Sequence, residues 1–217
     1  MSFNHATQKL VRGLHGMNIE YGQESFTTTG LTKEVTTKMG KVYSATVTPK
    51  ALTGDLVETV FCDRTVTSGA VTVTREVKPY ILRGKSDDAV HVSSQDWADV
   101  PLGYVPWAGT ITRLTIWNKT KAGGTPVVLL GNIIAAGTKD VDDHIAAAGA
   151  QAFPADGKYS EYTTFGGAAG AAVAAGDFLI LGSSGGASTA PAGLYAEVEI
   201  TPTPTSGLTF NYCFMGI

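Results

Sequence analysis

Charged residues are scarce in this sequence of 217 residues. Lysine, arginine, aspartate and glutamate together make up 16% of it, against about 25% in an average soluble domain. A nucleic-acid-binding domain is usually basic, with a pI above about 9, whereas this chain has a pI ≈ 5.8 and a formal net charge of -3. We therefore expect no direct contact with nucleic acid.

Long apolar runs and cysteine are also missing or rare. No run of about 18 apolar residues occurs, so a membrane-spanning helix is not expected, and the N-terminus lacks the apolar core of a secretory signal. Two cysteines, Cys62 and Cys213, are too few for a disulfide scaffold or a zinc site. They are expected to be buried free thiols in a protein made in a reducing compartment.

Motifs of the common enzyme classes give no catalytic site. There is no P-loop, HExxH or CxxC pattern, and GSSGG (182–186) leads from a strand into a polar loop, not into the helix of a nucleophile elbow. Glu197 and Glu199 fall on one face of a predicted strand, about 7 Å apart by strand rise. We interpret them as residues of an exposed edge and not as a glycosidase pair.

An acidic cluster offers the strongest candidate for a cation site. It consists of Asp140, Asp142, Asp143 and His144. An EF-hand loop needs glycine at its sixth position, where Ile145 stands. The cluster is better interpreted as an acidic turn that caps an Ala-rich helix, so no metal and no cofactor are predicted.

Glycine, threonine and valine are what the sequence does have. Gly accounts for 26 residues, and many short segments alternate between apolar and polar side chains, which is typical of strands joined by tight turns. The sequence therefore predicts an all-β fold with an N-terminal extended arm, a small antiparallel β domain and a C-terminal jelly-roll-like β-sandwich.

Residues 1–30 are predicted to form the arm. The segment YGQESFTTTG has no periodicity, and Gly13 and Gly16 weaken the short helix that the apolar spacing allows. Such an arm takes up order only when something binds it. Its predicted anchors on a larger shell or on a sister subunit are Phe3, Leu10, Val11, Leu14 and Met17.

Residues 31–96 alternate with period two and predict the small β domain. The alternation of 41–48 places Val42 on the face of Ser44, and Ala45 and Val47 on the opposite face. Residues 1–85 carry 11 basic and 7 acidic side chains, whereas residues 86–217 carry 5 basic and 12 acidic ones. A basic first part can lie on an acidic surface.

A connector with two prolines and two glycines spans 96–109, and the domain boundary is predicted near residue 97. Its aromatic residues Trp97, Tyr104 and Trp107 are suited to stacking on sugar or to anchoring a subunit interface. Trp and Tyr are enriched in protein interfaces, so the interface is favoured.

Residues 97–217 predict the jelly-roll-like unit. The alternation of 110–117 places Ile111 with Arg113 and Trp117. The segments 125–134 and 177–182 are expected to be buried on both faces, and 193–201 to turn Leu194, Ala196, Val198 and Ile200 inward. The last strand, 208–217, presents Phe210, Tyr212 and Phe214 on one face.

Half of the chain, about 104–201, resembles a known group of domains. The resemblance is carried by VPWAGTITRLTIWNKTKAGGTPVVLLGN, VAAGDFLILG and AGLYAEVEIT, which are similar to the jelly-roll domains of tailed-bacteriophage virion proteins, found on head-decoration (cement) proteins, head fibres and tail fibres. The resemblance implies a non-enzymatic structural role, often as a trimer, and no catalytic residues.

Together these observations lead to one expectation and two alternatives. We expect a phage capsid decoration protein that binds the outside of the shell, contacts the major capsid protein and forms a homo-oligomer, a trimer. The first alternative is a tail-fibre or receptor-binding subunit that recognises a host-surface glycan. The second, a polysaccharide-cleaving enzyme, has the least support because no motif carries its chemistry.

Overall fold

The chain is built from β-strands. The computed structural model describes residues 9–12, 16–50, 58–86, 97–119, 123–124, 127–133, 155, 157–165, 171–184, 187–189 and 193–217, and these contain no α-helix. The expectation of an all-β fold is confirmed. The strands are β1 (Lys9–Arg12), β2 (Asn18–Ser25), β3 (Thr32–Thr36), β4 (Val42–Pro49), β5 (Glu58–Thr67), β6 (Ala70–Val77), β7 (Tyr80–Lys85), β8 (Trp97–Tyr104), β9 (Gly109–Trp117), β10 (Gly123–Gly124), β11 (Val127–Ile133), β12 (Tyr159–Tyr162), β13 (Ala172–Val173), β14 (Phe178–Ser184), β15 (Ala187–Thr189), β16 (Tyr195–Pro202) and β17 (Thr209–Gly216).

The strands form two compact units. The first comprises Met1–Lys78 and Thr203–Ile217, and the second comprises Pro79–Pro202. The structure departs from the boundary predicted near residue 97. Strand β7 belongs to the second unit because it pairs with β16 along its whole length, and β17 belongs to the first because it lies between β2 and β4.

The first unit contains two antiparallel sheets, with strand orders β1-β2-β17-β4 and β3-β6-β5. Inward side chains of both sheets share one core, in which Phe210 and Phe214 of β17 are fully buried. Phe210, Tyr212 and Phe214 all lie on the core side, as the alternation of the last strand predicts. Burial of these aromatic side chains is the main contribution that β17 makes to the stability of the unit.

The predicted arm over residues 1–30 differs from the structure at residues 9–12 and 18–25, which form strands. Strand β2 pairs with β17 along eight residues, and β1 pairs with β2. The sequence hides β2 because its core side carries Glu20 and Gly22 where apolar residues are expected. Glu20 is buried and accepts a hydrogen bond from Thr37 Oγ1 at 2.5 Å, and Gly22 leaves room for the ring of Tyr212.

A buried ion pair holds the loops of the first unit. The guanidinium of Arg75 lies 3.4 Å from the Glu58 carboxylate, and both side chains are fully buried. The same guanidinium donates hydrogen bonds to the carbonyl oxygens of Thr28, Gly30 and Thr205, and Glu58 accepts one from the Thr205 amide. The pair therefore fastens strands β5 and β6 to two loops, one of which is the segment that returns from the second unit.

The second unit contains two larger sheets and one short pair. The first sheet has the order β12-β9-β16-β7 with β13 also paired to β9, the second has the order β11-β14-β8, and β10 pairs with β15. Apart from the short strands β10, β13 and β15, consecutive strands alternate between the two larger sheets. The core between these sheets includes Leu114, Ile116, Leu179, Leu181 and Val198.

Most face assignments in the second unit are confirmed. Strand β16 turns Ala196, Val198 and Ile200 inward. In β14, Leu179, Ile180 and Leu181 are all buried, as expected of a strand covered on both sides. Of 125–134, only the strand β11 is described, and its side chains lie outside the described residues.

Two face assignments are wrong for the same reason. Ile111 is buried with Leu114 because Thr112 is an extra residue in β9, where Glu199 pairs with Arg113 and Ile200 with Ile111. Val42 is buried because Tyr43 is an extra residue in β4, at the register shift beside Gly216. A β-bulge of this kind reverses the face of every residue beyond it.

Candidate functional site

The predicted anchors of the N-terminal segment lie in or beside the first sheet. Leu10 pairs with Glu20 and Val11 with Ile19 across β1 and β2. Met17 lies next to β2 and is 46% exposed. Phe3 and Leu14 lie outside the described residues.

The outer face of this sheet carries an apolar patch, which we define as Met17, Ile19, Met215 and Ile217. Ile19 pairs directly with Met215, so the two side chains project from the same face. Met215 is 37% exposed, and Met17 and Ile217 at the ends of the same two strands are also exposed. Four apolar side chains at one end of a sheet form a surface that another protein can cover.

Basic residues occupy positions in or beside the strands that flank β2 and β17. Lys41 follows Gly40 just before β4, and both backbone amides donate hydrogen bonds to the carbonyl oxygen of Ile217. Lys9 and Arg12 of β1 occupy register positions opposite Tyr21 and Asn18 of β2. The first unit contains nine basic and seven acidic residues, so its formal charge is positive.

The three aromatic residues of the connector are not brought together as one described group. Tyr104 is exposed at the end of β8, where its ring packs edge-on against Phe178 at 4.8 Å. Trp107 is half-buried and contacts the ring of Tyr80, whose hydroxyl donates a hydrogen bond to the Trp107 carbonyl oxygen. Burial raises the pKa of Tyr80 to about 12. Trp97 begins β8, and its side chain lies outside the described residues.

A second exposed group lies on the outer face of the sheet β12-β9-β16-β7. Trp117 of β9 pairs with Tyr159 of β12 on one side and with Tyr195 of β16 on the other. We call these three residues the aromatic row. Their side chains share one face because directly opposite residues in a sheet do so, and all three are exposed.

Charged residues continue the same face beyond the aromatic row. Glu197 accepts hydrogen bonds from Arg83 Nε at 2.6 Å and from the Tyr195 hydroxyl at 2.7 Å. These two bonds, first that from Tyr195, hold the pKa of Glu197 below its usual value. Conversely, the hydrogen bond to Glu197 raises the pKa of the Tyr195 hydroxyl. Arg113 contacts Glu199 at 2.7 Å and Glu161 at 3.7 Å.

The two glutamates singled out in the sequence are therefore ion-paired. Glu197 and Glu199 lie on one face of β16, as predicted, each beside an arginine of a neighbouring strand. The expectation of an exposed edge is wrong, because β16 is an interior strand between β9 and β7. Ser183 and Ser184 of the GSSGG segment belong to the paired strand β14. The acidic cluster at 140–144 and the predicted Ala-rich helix lie outside the described residues.

The described residues contain neither a metal-binding cluster nor a membrane-spanning helix. Three or more histidine, cysteine, aspartate or glutamate side chains do not come together there in a way that suits a metal ion. No helix in that part of the chain is long and apolar enough to cross a membrane.

Sequence reasoning did not identify the aromatic row. It placed Tyr195 opposite the inward residues of its strand and Trp117 on the face of Arg113, and both placements agree with the structure. The pairing of β12, β9 and β16 cannot be inferred from the sequence, because these strands lie far apart along the chain. Exposed aromatic residues at the ends of alternating strands are the signal that points to such a group once the strands are paired.

Comparisons with protein-family models, with curated proteins and with solved structures gave no match to this chain.

Proposed function

We propose that the chain is a non-enzymatic decoration protein of a phage capsid, which binds the outside of the shell and stabilises contacts between major capsid proteins. The observation that carries the proposal is the apolar patch on the first unit. Docking of this patch on the shell removes apolar side chains from water, which contributes about 25 cal/mol per Å² buried.

The charge of the two units supports the same arrangement. The first unit contains nine basic and seven acidic residues, and this positive formal charge complements an acidic docking surface. The second unit contains seven basic and twelve acidic residues. We propose that the first unit faces the shell and the second faces solvent, so that the virion surface is the place where the protein acts.

We further propose that the second unit is a jelly roll. Its strands pair as one long antiparallel hairpin, β7 with β16, β8 with β14 and β9 with β12. The hairpin is rolled up, so that β9 also pairs with β16 in one sheet and β14 also pairs with β11 in the other. Rolling one hairpin into two facing sheets is the construction of a jelly roll.

The attachment proposal is tested with a substitution in the apolar patch. Met215→Glu places a charge in the patch, and Asn211→Glu places the same charge on the same face of β17, four residues away, where Gln23 and Thr48 are the neighbours. Each purified variant is mixed with shells assembled from the major capsid protein encoded in the same phage genome, and shell-bound protein is measured after sedimentation.

We expect Met215→Glu to lower shell occupancy at least tenfold and Asn211→Glu to leave it within twofold of the unsubstituted protein. Circular dichroism spectra of the two variants serve as the control for folding. Equal binding by both variants, or no binding by the unsubstituted protein, would contradict the proposal.

Assembly of the chain as a homotrimer stays a prediction. The Ala/Gly-rich stretch 164–176 is the segment expected at a trimer axis, and residues 166–170 of it lie outside the described residues. Sedimentation velocity at micromolar concentration tests the prediction directly, since a stable monomer would contradict it. The alternative role as a tail-fibre or receptor-binding subunit also stays a prediction, and absence of shell binding would favour it.

A further inference from the structure

The aromatic row has the dimensions of a binding surface for an extended ligand. Tyr159, Trp117 and Tyr195 are 69%, 39% and 37% exposed, and they occupy three adjacent strands. Neighbouring strands are about 4.8 Å apart, so the row spans about 10 Å across the sheet. This length is comparable with that of a short oligosaccharide laid across the strands.

The charges beside the aromatic row neutralise one another. Arg83 pairs with Glu197, and Arg113 with Glu199 and Glu161. Lys85, opposite Tyr195 on β7, adds one positive charge at the end of the row. The face thus presents hydrogen-bond donors and acceptors in close pairs but little net charge.

We propose that the aromatic row binds a neutral oligosaccharide. Aromatic rings offer flat apolar faces to the C–H faces of sugar rings, and tyrosine and tryptophan also keep a polar group for hydrogen bonding. Adjacent arginine and glutamate side chains donate to and accept from sugar hydroxyls. Because these charges are balanced, the surface complements an uncharged, hydroxyl-rich ligand.

The electrostatics disfavour polyanions. Single-stranded nucleic acid also stacks on aromatic side chains, but its binding sites combine the rings with a positively charged groove. The second unit instead has five more acidic than basic residues. An acidic polymer is therefore repelled by the unit as a whole.

This inference goes beyond capsid attachment and does not depend on it, since the apolar patch belongs to the other unit. A protein held on the virion by its first unit acquires, through the aromatic row, a means of holding the particle on glycan-coated surfaces. The two proposals therefore have separate variants and separate measurements.

The test uses the full chain on an array of neutral glycans, acidic glycans and single-stranded oligothymidylate, followed by titration calorimetry with the best neutral oligosaccharide. The variants are Trp117→Ala and Tyr159→Ala, and the matched control is Tyr43→Ala, an exposed tyrosine of the first unit that lies outside the aromatic row. Loss of one stacking ring is expected to weaken binding about tenfold or more.

We expect binding to at least one neutral glycan, weakened at least tenfold by Trp117→Ala and by Tyr159→Ala and unchanged by Tyr43→Ala. If Trp117→Ala does not fold, Tyr159→Ala on the edge strand β12 decides the question. Binding to acidic glycans or oligothymidylate alone, binding insensitive to the row, or no binding overturns the proposal. Met215→Glu is expected to keep glycan binding, which separates failure here from failure of the capsid proposal.

Discussion

At the scale of single residues, Arg75 shows how a charge is accommodated in an apolar core. Its strand alternates so that Val71, Val73 and Arg75 all point inward, and the sequence pattern alone places a charge among valines. The partners that satisfy this charge lie 17 to 130 residues away along the chain. Only the folded chain identifies them, which is why no local pattern singles out Arg75.

Replacement of Arg75 tests how much this arrangement contributes to stability. We expect Arg75→Met to lower the free energy of unfolding of the first unit by about 3–5 kcal/mol, because it leaves the Glu58 carboxylate buried without its counter-charge. Lys33→Met breaks the exposed pair with Glu24 in the same unit and is expected to cost about 0–1 kcal/mol. The loss of stability in each variant is measured by urea unfolding, with hydrogen exchange at the β6 amides as the probe of the first unit. Equal losses in the two variants would show that the buried pair adds little.

At the scale of the strand, alternation predicts faces well until a bulge intervenes. Strands β16 and β17 follow the predicted faces from end to end. In β9 and β4, one inserted residue moves Ile111 and Val42 to the core. The position of a bulge depends on the partner strand as much as on the strand that contains it, so alternation within one strand does not reveal it. The same limitation applies to the aromatic row and to β2, whose core-facing positions hold no apolar side chain.

The bulge in β9 makes a measurable difference at Ile111. Ile111 is 2% exposed, so Ile111→Ala is expected to destabilise the second unit by about 2–5 kcal/mol through lost burial and a cavity. Thr110→Ala, at the exposed neighbouring position, is expected to change stability by no more than about 0.5 kcal/mol. Urea unfolding monitored by tryptophan fluorescence distinguishes the two. Equally small losses of stability in the two variants would show that Ile111 lies on the outer face, where unbroken alternation places it, and would contradict the bulge.

At the scale of the whole molecule, each unit has a core of its own. All three tryptophans, Trp97, Trp107 and Trp117, belong to the second unit, so tryptophan fluorescence reports on that unit alone. The sequence predicts two β units but not which strands belong to each, because it cannot show that β17 returns to the first unit. That return is a contact between residues about 190 positions apart, Gly216 with Asn18 for example.

Separate cores predict separate responses to core substitutions. Phe214→Ala is expected to destabilise the first unit by about 3–5 kcal/mol and to leave the fluorescence-detected transition of the second unit unchanged. Leu114→Ala, at an equally buried site in the second unit, is expected to shift that fluorescence transition and to leave hydrogen exchange in β6 unchanged. A single transition that moves in both variants would contradict independent unfolding of the units.

The position of β17 has a consequence during translation. It is an interior strand between β2 and β4 and it emerges from the ribosome only after the whole second unit, so β2 and β4 have no partner between them until then. Met215 and Ile217 of the apolar patch lie in β17 and directly after it. Proteolysis between the second unit and β17 therefore removes the centre of this sheet and much of the proposed docking surface in one event, which couples attachment to an intact first unit.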